Sequence, residues 1–138
     1  MDELTNKWKV NCYFYCKGSF PKHCVENTFG AEFHKDLDTS RATLTVKKGT
    51  EVLKESFSGH GNPDLSNYLQ NNIIKRAYVC GLAYDFCVGH TALDTAKLGI
   101  ETFVINDASR SISDETTKTM KELFTSNNVK IIMSLDIN

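Results

Sequence analysis

The run Val79-Cys80-Gly81-Leu82-Ala83-Tyr84-Asp85-Phe86-Cys87-Val88 constrains this chain more than any other. Apolar strand formers pass through a glycine-containing turn and straight into a helix that opens on a cysteine. A helix N-terminus presents unpaired N–H groups and about half a positive charge, and both favour thiolate over thiol. A cysteine so placed has its pKa lowered by about one to several units from about 8.5. The alternative for any free cysteine is a small, inert core residue. Strand, turn and helix alone leave these two readings evenly matched.

The sequence around this run predicts an α/β domain. Ala77 to Leu82 reads as a buried strand, and the following helix places Val88, Ala92 and Ala96 inward with His90, Asp94 and Lys97 outward until Gly99 stops it. Thr102 to Ile105 begins the next strand after a short link, which makes a right-handed parallel unit. Ser113 or Asp114 caps a further helix whose Met120, Leu123 and Phe124 face the sheet, and Lys130 to Met133 returns as a strand. Upstream, Asn62-Pro63-Asp64 is a cap and a favourable first helical position, with Leu65, Tyr68 and Leu69 on one face. Ala42 to Val46 alternates and is β-branched, a short strand that delivers Lys47 and Lys48 to its C-terminal edge. Trp8 to Cys16 reads as an aromatic-rich strand ending at Lys17-Gly18, and Ser19 to Lys35 as an extended loop. The expected architecture is a three-layer α/β/α fold with a mostly parallel sheet, in which Ala77 to Leu82 is central between strands near Ala42 and Thr102. Ligands of such sheets sit outside the C-terminal strand ends, where Lys48 and the turn before Cys87 both fall.

Composition removes several function classes. A net charge of −1 with mixed signs gives no basic stripe, so nucleic acid is not an expected partner. No apolar run approaches the ~18 residues that would span a bilayer, and the N-terminus lacks the apolar core of a signal peptide, so a cytoplasmic protein without a membrane partner is expected. The five cysteines are odd in number, and only Cys12 and Cys16 lie close together, which argues against a disulfide framework.

Three separated motifs then agree in order: Phe20-Pro21-Lys22-His23-Cys24-Val25 leading to Asn27-Thr28-Phe29-Gly30, the pair Lys48-Gly49, and Gly81-Leu82-Ala83-Tyr84-Asp85-Phe86-Cys87-Val88. Together they resemble nicotinamidases of the isochorismatase-like cysteine hydrolase superfamily, over roughly residues 20–134. The resemblance implies an amidohydrolase of NAD salvage that converts nicotinamide to nicotinate and ammonia through a cysteine thioester. It implies that Cys87 is the nucleophile, Lys48 a catalytic lysine, His23 a ligand of a divalent metal such as zinc, and the amides of Ala83 and Cys87 the oxyanion hole. It also implies a cis peptide between Leu82 and Ala83.

The departures are informative too. The family's first strand carries a catalytic aspartate and is followed by an Asp-x-His metal motif and ring-stacking aromatic residues, whereas residues 1–19 offer only Asp2 and no histidine. The expectation is a divergent segment, 1–19, joined to a partial isochorismatase-like domain, 20–138, as in a shortened or decayed copy. Activity is then impaired and the metal weakly bound or absent. Two other readings follow, a catalytically inactive or regulatory member and an amidase for another small amide. An exposed sheet edge in such a chain predicts association into homo-oligomers. Without the resemblance, Lys48 is a solvated strand-end lysine and His23 a surface histidine. His34, His60 and His90 have no motif support and are read as non-ligands. A zinc site of Cys12, Cys16, His23 and Cys24 matches no strong spacing pattern. Asp85 is expected to accept backbone hydrogen bonds rather than protons.

Overall fold

The computed structural model describes residues 20–21, 23–49 and 56–137. The expected strand from Trp8 to Cys16 lies outside them, as do Cys12 and Cys16. The elements run α1 (Pro63–Asn71), β1 (Arg76–Leu82), α2 (Gly89–Lys97), β2 (Glu101–Arg110), α3 (Asp114–Ser126) and β3 (Lys130–Ile132), with a π-helical turn, Tyr84–Val88, between β1 and α2. The three strands form one parallel sheet in the order β1-β2-β3, so the α/β fold with a parallel sheet is as the sequence predicts.

The helix signals act locally. The Asn62 side chain accepts the N–H of Asp64 at 3.0 Å, and Pro63 stands at the first helical position, where its missing N–H costs nothing. Gly99 ends α2 at φ +79°, a conformation that favours glycine, and its N–H closes onto Ala96. Ser113 caps α3 by accepting the N–H of Thr116.

Packing corrects four sequence expectations. The first concerns sheet order. Among the described residues the strand containing Ala77 to Leu82 is an edge of the sheet, and β2 is the middle strand. Accordingly β1 alternates, with Tyr78 and Cys80 exposed, while β2 buries Thr102, Val104 and Ile105. Second, Ala42 to Val46 forms no strand among the described residues. Its alternation survives as burial, since Val46 and Lys48 are buried while Thr45 and Lys47 are exposed. A β-branched composition records fit to a pleated surface, whereas a strand also needs a backbone alongside to pair with. Third, Leu123 is 38% exposed, because the α3 stripe runs through Met120 and Phe124, four residues apart. Fourth, His90 is half-buried and stacks on the Phe57 ring at 5.5 Å.

The core gathers Tyr84 and Val88 from the turn, Ala92 and Leu93 from α2, Val104 from β2, Met120 and Phe124 from α3, and Val129. The two helices meet closely. A Cβ at Gly89 would lie 2.5 Å from the Met120 sulfur, so any larger residue where α2 begins requires the Met120 side chain to shift. Between Val79 and Gly81 the register with β2 shifts, and Ser109 stitches the irregularity by donating to Ile105 O and accepting from Gly81 N–H. The extra residues of the irregularity lie in β2, and beyond it Gly81 and Leu82 pair with Ser109 and Arg110, so β1 stays on the ladder up to the turn that bears Cys87.

The α3 stripe yields a direct test. Phe124→Ala is expected to lower the unfolding free energy by about 3–5 kcal/mol and Leu123→Ala by less than about 1 kcal/mol, read by urea denaturation. Equal losses would mean that α3 presents a different face.

Candidate active site

The helix after β1 does not open on Cys87 as a plain α-helix. It begins with the π-helical turn, in which the Val88 N–H reaches back to Ala83 O at 3.0 Å, and α2 starts at Gly89. Single π turns recur at functional sites because the extra residue redirects a side chain. Cys87 sits in this turn and is buried, and the Leu82–Ala83 peptide that leads into it is cis, as the resemblance implies.

Asp85 fixes the turn from the other side. Its carboxylate, buried in the protein, accepts the N–H groups of Ile112 and Ser113 at 3.1 Å and the Thr116 hydroxyl. It is thus a structural anion at the N-terminus of α3, accepting backbone hydrogen bonds as expected. Thr91 holds the turn from below by donating to Cys87 O at 2.6 Å.

Lys48 arrives from the extended segment and is 4% exposed. Its ammonium donates to Ser56 O at 2.7 Å and lies 3.5 Å from Cys87 Sγ. Asn62 steadies the approach, since the amide that caps α1 also donates to Lys47 O at 2.8 Å. The structure therefore brings together two residues, 39 positions apart, that sequence reasoning paired only through the motif resemblance. A buried ammonium against a thiol favours the thiolate, the nucleophilic form.

The Phe20–Cys24 loop lies against the same turn. Phe20 packs edge-on to Phe86 at 5.1 Å and to Phe57 at 6.0 Å, and Phe57 contacts Phe86 at 5.3 Å. Sequence reasoning finds no ring-stacking residue and misses this cluster, whose members are distant in sequence and carry no shared motif. His23 is exposed, and its Nδ1 donates to Pro21 O at 2.7 Å. That bond fixes the neutral ring as the Nδ1–H tautomer, which leaves Nε2 as the lone-pair nitrogen. Cys24 is half-buried, with burial pushing its thiol pKa up and the Lys48 charge opposing.

Other candidates fall elsewhere. His34 sits in an exposed loop against Asp36 at 3.7 Å. His60 is held between Ser66 and Thr95. Cys80 is exposed at the sheet edge, so the expectation that strand burial shields it does not hold. Among the described residues no three His, Cys, Asp or Glu side chains converge on a cation site, and no helix is long and apolar enough to cross a membrane.

The chain belongs to the isochorismatase family: the Isochorismatase domain pattern matches residues 6–135. It is 38% identical over 99 residues to the nicotinamidase of Acinetobacter baylyi, an alignment that covers 67% of this chain and 46% of that protein. Among solved structures it resembles the zinc complex of Pyrococcus horikoshii pyrazinamidase (TM-score 0.80, 37% identity, 91% of this chain and 71% of that one). It also resembles the nicotinate complex of PnC1 from L. infantum (TM-score 0.84, 30% identity, 93% of this chain and 68% of that one). The chain spans between 46% and 64% of the length of the first curated relatives it matches.

Two measurements test the geometry. Lys48→Met should slow alkylation of Cys87 by iodoacetamide at neutral pH about tenfold, with exposed Cys80 as the unchanged internal reference. Parallel slowing of both thiols would indicate general loosening. Asp85→Asn should cost about 1.5–3 kcal/mol in chemical denaturation, because two buried N–H donors lose a charged acceptor. An unchanged midpoint would remove Asp85 from the scaffold.

Proposed function

We propose that Cys87 and Lys48 form the reacting pair of a nicotinamidase-type amidohydrolase whose substrate is a small aromatic carboxamide, nicotinamide foremost. The observation that carries this is the 3.5 Å approach of the buried Lys48 ammonium to Cys87 Sγ. The sulfur adds to the amide carbon, and the carbon–nitrogen bond breaks with the thiol proton leaving in ammonia. Water then cleaves the acyl thioester to release the carboxylate and restore the thiol. The N–H groups of Ala83 and Cys87 are the proposed oxyanion donors, each worth roughly 3 kcal/mol in the transition state. Phe20, Phe57 and Phe86 offer an apolar aromatic wall beside the nucleophile, suited to a planar ring. The nicotinate bound by PnC1 from L. infantum is such a ring with a carboxylate.

His23 has the tautomer of a metal ligand, but a catalytic zinc takes three protein ligands, and the described residues assemble no such set. The metal does not fit the described residues, and no step is routed through it. A thiol of this kind persists in the reducing cytosol, the proposed compartment.

General-base assistance is worth about 10²–10⁴ in rate, and the segment ahead of the motifs contains Asp2 as its only aspartate. Turnover by this chain is therefore expected to be slow. An ammonia-release assay with nicotinamide, run beside Cys87→Ala, tests the proposal: slow release abolished in the variant supports it. Release that is equal in the two proteins overturns it and favours the non-catalytic reading.

A further inference from the structure

His60 has no role in the chemistry above, yet its ring is fully engaged. Thr95 donates its hydroxyl to Thr91 O at 2.8 Å, so at His60 the same oxygen acts as acceptor and Nε2 at 2.8 Å must be the donor. His60 Nδ1 is then the acceptor for the Ser66 hydroxyl at 2.6 Å. Burial lowers the His60 pKa, with Asp94 opposing, in keeping with this neutral tautomer. One turn of helix earlier, the Gly59 N–H donates to Thr91 Oγ1 at 2.8 Å, and Thr91 donates onward to Cys87 O. Ser58 meets Asp94 on the same helix. The Ser56–Gly61 turn is thus fastened to one face of α2, at Thr91, Asp94 and Thr95. The helix that holds Cys87 from below also holds, through this turn, the carbonyl of Ser56 that receives the Lys48 ammonium.

We propose that His60 is a positioning residue: by locking the Ser56–Gly61 turn onto α2 through Thr95, it fixes the Ser56 carbonyl and so aims Lys48 at Cys87. The inference rests on the reading of Cys87 and Lys48 as the reacting pair. Lys48 has four methylene groups and many rotamers, and the Ser56 carbonyl directs its ammonium only if that carbonyl is itself held in place. The turn is short, with glycine at positions 59 and 61; bonds to Ser58 set its internal shape, and its contacts with α2 set where it lies against the helix.

The test is the pH profile of Cys87 alkylation by iodoacetamide, measured by peptide mapping on the full chain for the parent, Thr95→Val, Thr95→Ser, His60→Ala and Lys48→Met. Thr95→Val keeps shape and removes the acceptor, so it should move the Cys87 profile to higher pH and slow labelling at neutral pH several-fold, up to about tenfold. His60→Ala should do the same, Thr95→Ser should restore the parent profile, and Cys80 labelling should not change. Val129→Ala, a core change away from the turn, controls for lost stability. A profile that shifts as much in Val129→Ala as in Thr95→Val overturns the proposal in favour of general loosening. A shift in Lys48→Met with none in Thr95→Val or His60→Ala also overturns it and leaves the reacting pair intact. An unshifted Lys48→Met profile overturns the reacting pair, and His60 with it.

Discussion

An ammonium held at 4% exposure is among the more expensive groups a small domain can carry, and the arrangement around Lys48 follows from that cost. Removed from water, the amine needs partners at fixed positions, and it has the carbonyl of Ser56 and the sulfur of Cys87. A thiolate partner compensates better than a thiol, so the interaction that makes the lysine tolerable also favours the thiolate form of the cysteine. Stability and chemistry are therefore linked at one contact. Neither residue has this effect alone, because a lone buried lysine sheds its proton and a lone buried cysteine keeps its own.

The parallel unit supplies the rigid half of that contact. β1, the π-helical turn and α2 are anchored by core residues Val104, Met120 and Phe124 and by the Asp85 carboxylate, which ties the turn to the start of α3. Apolar packing sets where the turn lies, and directional hydrogen bonds set how it is oriented. The close approach at Gly89 brings the two helices together beneath the cysteine. Asp85 is close to Cys87 in sequence but is engaged elsewhere: its carboxylate accepts two backbone N–H groups and a hydroxyl.

What the sequence showed and what it hid divide along the range of the forces involved. Asn62, Gly99 and Ser113 act within a few residues, and each ends or begins a helix where local rules place it. The pairing of Lys48 with Cys87 was legible only through motif order, since no local rule joins residues 39 positions apart. Sheet order is harder to read, because an apolar run such as Ala77 to Leu82 suits an edge as well as a centre, and among the described residues it is an edge. His90 and His60 carry no motif in the sequence. Their partners, Phe57 in one case and Ser66 and Thr95 in the other, come from segments that only the folded chain brings together.

The segment that carries Lys48 shows why such a site needs hydrogen bonds rather than more core. Between residues 42 and 61 the chain buries Val46, Lys48 and Gly49 and then Gly59, but it forms no ladder with the sheet among the described residues. Apolar contact would permit this segment to slide, since burial depends on area and hardly on direction. A slide of one ångström would carry the ammonium out of reach of the sulfur. Asn62 on Lys47 O, Thr91 on Gly59 N–H and Thr95 on His60 each fix a direction as well as a distance. Two of these three restraints come from α2, the helix that begins just after Cys87. Through these two bonds the helix that follows Cys87 also restrains the turn whose Ser56 carbonyl receives Lys48.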